Sequence, residues 1–297
     1  MTGTVLVLGA GGNFGSHAAR AFAAAGWQVR RYQRGTDMIA AAKGVDVIVN
    51  GLNPPNYHNW AKILPEITAQ VIAAAAASGA TVLVPGNVYV YGDQPGPWGA
   101  ETPQRPVSRK GVIRVEMERA YRAAREKGLR VIILRGGDFL DPTAQNSIFT
   151  MVVLKKLAKG IVTSPGSATA RRAHAYLPDM ARAAVGLADI RASLPAFADI
   201  PFAGYSFSME DLRSRLQVLS GRPIRLQQFG WLPLRLLAPV WELARELVEM
   251  RYLYDLPHSL DPAPLAALLP DFRATPLDSI LAAHLPVAQT QGALRAE

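Results

Sequence analysis

Short apolar runs punctuate the first half of the chain, and longer stretches of helical spacing separate them. Residues 5–8, 27–33, 46–49, 81–84 and 131–134 read as strands, bounded by glycine, proline or polar residues. Between them lie an alanine-rich helix over 16–25 ended by Gly26, a second over about 58–77 ended by Gly79, and a third over about 113–126 ended by Gly128. Short apolar strands alternating with helices call for a parallel sheet covered on both faces. The fold predicted is α/β, a doubly wound parallel sheet of the Rossmann type, with ligands at the strand carboxyl ends.

The second half is less regular. Residues 173–177 read as a strand running into a helix that carries Pro178 and Asp179 in its first turn. Residues 197–202 make a further strand, and Ser208-Met-Glu-Asp211 resembles a capping box before a helix to about Leu219. Residues 231–254 read as one amphipathic helix packed on a lobe, with Glu242, Arg245, Glu246 and Glu249 on its wet side. Residues 286–297 read as a frayed tail.

Composition narrows the class. Hydrophobic residues make up 49% of the 297 and charged residues 19%, which excludes a disordered chain. Cysteine is absent, which excludes disulfides and a thiolate nucleophile. The start lacks a basic segment before its first apolar run, and the uncharged stretch 67–92 is broken by Gly79, Pro85 and Gly86. Neither a signal peptide nor a membrane span is therefore expected, and the expected location is cytoplasmic. Lys and Arg outnumber Asp and Glu by 32 to 23, so anionic partners are favoured. No nucleic-acid-binding motif accompanies these scattered charges, and no nucleic acid partner is expected. The five histidines, at 17, 58, 174, 258 and 284, form no i, i+4 pair, and no Gly-x-Ser-x-Gly elbow follows a strand. No metal site is predicted.

The sharpest signal is Gly9-Ala-Gly11-Gly12-Asn13-Phe14-Gly15, set between the first strand and the first helix. Gly9 lets the chain turn off the strand. Gly11 and Gly12 remove side chains where a diphosphate would approach, and Gly15 lets the helix pack closely. Free amides around Gly12–Phe14 and the positive helix end are expected to hold that diphosphate.

Glycines 9, 12 and 15 give the spacing G-x-x-G-x-x-G. Together with Val84-Pro-Gly-Asn-Val-Tyr-Val-Tyr-Gly92, Glu101-Thr-Pro103, Arg135-Gly-Gly-Asp138 and Leu177-Pro-Asp-Met-Ala-Arg-Ala183, it resembles the extended and atypical short-chain dehydrogenase/reductases, the NAD(P)-dependent epimerase/dehydratase branch. The resemblance is clear to about residue 190. It implies a nicotinamide dinucleotide cofactor, a small carbonyl or sugar-like substrate, and often a homodimer. The division that follows is a dinucleotide-binding domain over 1–203, with 137–171 contributing to the substrate side. A smaller, mostly helical, substrate-facing C-terminal lobe covers 204–297.

An enzyme selecting NAD usually ends its second strand with a carboxylate for the ribose. Here the strand runs into Arg34 with no acid before Asp37. Arg34 is expected to clamp a 2′-phosphate with Arg31 as helper, so NADP(H) is preferred and NAD(H) stays open. Asn50, with Asn53 and the loop 54–58, is expected to line the nicotinamide pocket. The cofactor set is thus Gly9, Gly11, Gly12, Asn13, Phe14, Gly15, Arg31, Arg34 and Asn50.

The resemblance also implies a catalytic Ser/Thr, Tyr and Lys, but those positions hold Asn87, Val107 and Gly111. None of the nine tyrosines has a lysine four residues on. In a non-standard site, Asn87 would donate to a carbonyl oxygen. Tyr89 or Tyr91, sharing a face of the strand end, would supply a proton, with Tyr91 taken into the catalytic set. Lys110, beside Arg114, would shift a pKa or hold an anionic substrate. The other reading is a non-catalytic NADP(H)-binding redox sensor or a regulatory or structural protein.

Overall fold

A computed structural model describes residues 3–54, 57–143 and 147–285. Its central sheet holds β1 (Thr4–Leu8), β2 (Gln28–Arg31), β3 (Val47–Asn50), β4 (Thr81–Gly86), β5 (Val131–Arg135) and β9 (Phe197–Pro201). All pairings are parallel, in the order β2-β1-β3-β4-β5-β9. Successive strand side chains point to opposite faces, and here both faces are apolar. Val5, Val7, Val47 and Val49 pack with α1 (Asn13–Ala24) and α5 (Leu177–Asp189) through Phe14, Phe22 and Met180. Leu6, Leu8, Ile48 and Val82 pack on the other side with α2 (Met38–Ala41), α3 (Trp60–Ser78) and α4 (Arg109–Ala124). The doubly wound expectation holds. The chain leaves β1 for edge strand β2 and returns to β3 on the far side, so the switch point falls at the glycine loop.

Capping chemistry fixes two helix starts. α4 begins at Arg109, four residues before the sequence pattern places it, because Ser108 Oγ accepts from the Gly111 amide at 3.1 Å. The box at Ser208 forms as expected. Its Oγ accepts from Asp211 N at 3.1 Å, and Asp211 Oδ2 accepts from Ser208 N at 3.0 Å.

A second assembly sits beyond the strand carboxyl ends. β6 (Asp138–Leu140), β8 (Arg172–Tyr176) and β10 (Tyr205–Phe207) form one small sheet, and β7 (Ile161–Ser164) pairs with β11 (Arg225–Gln228). Its helices are α6 (Met209–Ser220), α7 (Leu232–Leu237), α8 (Glu242–Glu249), α9 (Tyr252–Asp255) and α11 (Leu277–Ala282), while α10 (Ala263–Leu268) packs back on the core of the central sheet through Leu265. One core joins Leu140, Phe149 and Val162 to Leu212, Leu216 and Leu281, so this assembly draws on chain from both sides of β9. No helix among the described residues is long and apolar enough to cross a membrane.

The single helix predicted over 231–254 is in fact three, α7, α8 and α9. Pro239 lacks the amide a continuing helix needs, and Trp241 is extended at φ −121°, ψ 109°. The predicted wet side is also corrected, since Glu246 is buried and Glu249 half-buried. The expected tail, 286–297, lies outside the described residues.

Replacing Ser208 by alanine is expected to remove about 1 kcal/mol of stability. Urea unfolding checks this as a lower midpoint with an unchanged slope.

Candidate dinucleotide and active site

The glycine loop is held by its own backbone. Gly9 sits at φ +72°, and a Cβ there would lie 2.8 Å from the Gly51 carbonyl oxygen. A Cβ on Gly15 would lie 2.2 Å from the Gly9 oxygen, so the helix can approach the loop only without one. Gly12 N donates to that same oxygen at 2.9 Å, and the Gly12 carbonyl accepts from Ser16 N at 3.0 Å. The Gly12 amide therefore closes the loop and is not free, correcting the expectation. The free amides are those of Asn13 and Phe14, which have no partner among the described residues. Around Gly11 no atom lies within 4 Å of a built Cβ. Open space beside unpaired amides at a helix start fits an anionic diphosphate. Phe14 offers only its backbone, because its ring is in the core.

Beyond β2 lies a cleft of ≈ 590 Å³ whose lining includes Tyr32, Arg34, Asp37, Leu52 and Asn53. Arg34 and Arg31 are both exposed with no partner among the described residues, but only Arg34 lines the cleft. Asp37 also lines the cleft. Its Oδ1 caps α2, accepting from Ile39 N at 2.9 Å and Ala40 N at 3.3 Å, while Oδ2 has no partner among the described residues. Asn50 is also committed elsewhere, which corrects its expected place in the nicotinamide pocket. It is buried, its Nδ2 donates to Tyr121 Oη at 3.0 Å, and its Oδ1 accepts from Leu52 N at 3.3 Å.

After β4 the chain does not continue as a strand. Tyr89–Tyr91 form a 3-10 turn, so the two tyrosines do not share a face as expected. Asn87 Oδ1 accepts from Tyr89 N at 3.0 Å, leaving its Nδ2 without a partner among the described residues. Tyr91 is 1% exposed, packs on Trp98, and donates its hydroxyl to the Gly99 carbonyl at 3.0 Å. Burial raises its pKa. Tyr91 is thus a core residue, not the expected proton donor.

Tyr89 takes a different direction, and its phenol interacts with that of Tyr57 from the loop after β3. Burial raises both phenol pKa values, and the charge of Asp138 adds to the rise, so both hydroxyls stay protonated. Sequence reasoning had named the loop 54–58 without selecting Tyr57, and Pro55 and Asn56 lie outside the described residues. Asp138 itself pairs with buried Arg172 at 2.6 Å.

Lys110 is 1% exposed. An ammonium has three donors, and here they meet Glu246 O at 3.2 Å, Glu246 Oε2, and Glu249 Oε2 at 2.9 Å. No donor remains for a substrate anion, so its expected role is corrected to that of a tie between α4 and α8. The signal for this lay in α8, where 242, 246 and 249 line one helix face. Arg114 is likewise held, with Nη2 on Asn53 Oδ1 at 2.8 Å and its guanidinium 4.8 Å from the Trp60 ring centroid.

Beneath these groups lies Arg135, 0% exposed, from the end of β5. It meets Glu118 at 3.0 and 2.8 Å, Asp199 at 3.1 and 2.6 Å, and the Asn87 carbonyl at 2.6 Å.

Residues 5–195 match the NAD dependent epimerase/dehydratase family. The chain belongs to this family. A comparison with curated proteins returned no match. Among solved structures, MoeE5 in complex with UDP-glucose and NAD is similar at 19% identity, covering 99% of both chains with a TM-score of 0.74. The UDP-glucuronic acid 4-epimerase from Bacillus cereus, with UDP-glucuronic acid and NAD, is 17% identical, covering 95% of this chain and 97% of its own at a TM-score of 0.75. RMD from Pseudomonas aeruginosa, complexed with NADPH, is 16% identical, covering 96% and 98% at 0.72. At such identities the likeness is one of fold.

The family resemblance implies a Ser-Tyr-Lys trio at positions 87, 107 and 111, and the backbone constrains what those positions can hold. Val107, at the tyrosine position, is half-exposed to solvent. A Cβ on Gly111, at the lysine position, would lie 2.6 Å from the Tyr89 carbonyl oxygen. A lysine cannot be restored there without moving the turn that carries Asn87 and Tyr89. Gly111→Ala is accordingly expected to destabilise by roughly 1–3 kcal/mol, read in thermal or urea unfolding.

The tie between α4 and α8 makes a second prediction. Burial raises the Glu249 carboxyl pKa, but the Arg109 amide and Lys110 outweigh it and hold the value below the ordinary 4.5. A depressed carboxylate stabilises fully above its unfolded pKa and loses that contribution as pH falls through the folded one. The stability difference between the unmodified protein and Glu249→Gln should therefore be constant near neutrality. It should shrink once pH drops below the ordinary glutamate value, as chemical unfolding at a series of pH values would show.

Proposed function

We propose that this family member binds NADP(H) in preference to NAD(H) and acts on a small carbonyl or sugar-like substrate in the cytoplasm. The activity proposed is that of an oxidoreductase or epimerase/dehydratase-like enzyme working without the Ser-Tyr-Lys set. The observation that carries the cofactor choice is the pairing of an unpartnered Arg34 in the cleft with an Asp37 already engaged as a helix cap. A guanidinium suits a phosphate, and the cleft's one carboxylate, Asp37, has one of its two oxygens taken by the α2 cap. The amides of Asn13 and Phe14 would hold the diphosphate, and Gly11 would leave room for it. When bound, the nicotinamide supplies hydride chemistry.

The chain's own part falls to the turn after β4. Asn87 Nδ2 is proposed to donate to the substrate oxygen, where developing negative charge would strengthen the bond. The Tyr89–Tyr57 pair holds protonated hydroxyls and replaces the absent tyrosine as proton donor. Residues 137–171 and 204–297 are proposed as the substrate-facing side, which their shared core supports. The sugar-like substrate class draws support from the UDP-sugars named with MoeE5 and the Bacillus cereus epimerase.

One observation favours the second reading, a non-catalytic NADP(H) sensor: Lys110 Nζ lies 4.8 Å from the Tyr57 ring centroid, but its three donors go to Glu246 and Glu249, so it gives no hydrogen bond to a phenol. Turnover separates the two. An enzyme consumes NADPH with a panel of carbonyl or nucleotide-sugar substrates, and Asn87→Ala slows it by roughly 100-fold. A sensor binds both redox forms without turnover.

Calorimetric titration is expected to show NADPH binding tighter than NADH by at least about tenfold, and Arg34→Asp is expected to reverse the order. Equal affinities in the unmodified protein would refute the 2′-phosphate argument.

A further inference from the structure

The basic charge of this chain is not evenly spread. Residues 142–178 contain Lys155, Lys156, Lys159, Arg171 and Arg172 but no acidic residue. Residues 212–241 contain Arg213, Arg215, Arg222, Arg225 and Arg235, again with no acidic residue. These two segments carry ten positive charges against a net +9 for the whole chain, leaving the remainder close to neutral. The fold brings them together. β7 pairs with β11, Arg222 donates to the Leu157 carbonyl at 3.0 Å, and Lys156 donates to Gln227 at 3.2 Å.

Acids from elsewhere neutralise Arg171, Arg172 and Arg215. Lys155, Lys159, Arg225 and Arg235 remain exposed with no acidic partner among the described residues. Directly after this ribbon comes α7, anchored by Phe229 N on the Ser164 carbonyl at 2.8 Å and Trp231 Nε1 on the Pro165 carbonyl at 2.6 Å. Its apolar side chains face solvent: Leu232 is 65% exposed, Leu236 72%, and Val240, in the turn that follows, 85%. Trp241 at 45% ends the same stretch, and Met151, just before Lys155, is 54% exposed.

We propose that this face, the β7–β11 ribbon with α7, is a peripheral docking surface for an anionic lipid bilayer. Headgroup phosphates take the unpaired lysines and arginines, while Leu232, Leu236, Val240 and Trp241 enter the boundary between headgroups and acyl chains. The apolar residues decide for lipid over nucleic acid. A nucleic acid backbone would use the cations but would leave four solvent-facing apolar side chains uncovered. None of these residues lines the cleft or belongs to the turn after β4, and the test does not depend on cofactor or substrate.

The experiment is co-sedimentation of the full chain with vesicles of phosphatidylcholine alone or with about one-third phosphatidylglycerol, at low and near-physiological salt. Binding to the anionic vesicles is expected to exceed binding to the neutral ones by roughly tenfold and to weaken with salt. Leu236→Ser with Val240→Ser, and separately Lys155→Glu with Arg225→Glu, should each lower it by roughly tenfold. Because these positions are exposed, unfolding transitions should stay unchanged, which separates lost docking from lost folding. Four results would overturn the proposal: no sedimentation with anionic vesicles, equal binding to neutral ones, indifference to the apolar pair, or stronger retention of an oligonucleotide than of vesicles.

Discussion

The Arg135 guanidinium has five N–H groups, and all five find acceptors on Glu118, Asp199 and the Asn87 carbonyl. Four parts of the molecule meet there: the end of β5, the middle of α4, β9, and the turn after β4. A charge this deeply buried persists only when it is fully paired, and removing one partner typically costs about 3–5 kcal/mol. The hub therefore does more to specify geometry than to add stability. It fixes where the turn after β4 begins, and so where the amide of Asn87 and the phenol of Tyr89 can be presented.

What the sequence made legible follows from how local each cause is. The glycine loop could be read because Gly9 needs a positive φ and Gly15 must lie against the loop backbone, both constraints set within a few residues. The inner strands β1, β3, β4 and β5 could be read because each is apolar on both faces, and the Ser208 box because its partners are three apart. Lys110 could not be read correctly, since its partners lie 136 and 139 residues away on a helix whose acids look solvated in isolation. Asn50 failed for the same reason, its amide being claimed by Tyr121. Tyr91 failed because the period-two reading assumed a strand where the chain makes a tight turn.

Packing limits what can stand at the positions where the resemblance implies a Ser-Tyr-Lys set. Gly111 lets α4 begin directly under the Tyr89 carbonyl, and that closeness excludes any side chain at the position where the family resemblance implies a lysine. Lys110, one residue earlier, points into α8 and away from that role. The phenols that do gather, Tyr57 and Tyr89, are kept neutral by burial, which suits giving a proton more than taking one.

The bond set of Lys110 bears on how the chain can be divided. Glu246 and Glu249 belong to the last quarter of the sequence, yet they are what allows an ammonium to stay dry at the start of α4. A fragment cut before α8 would lose both carboxylates, and water would have to take the place of the helix that now covers the start of α4. The two ends of the sequence are thus tied together at one buried ammonium.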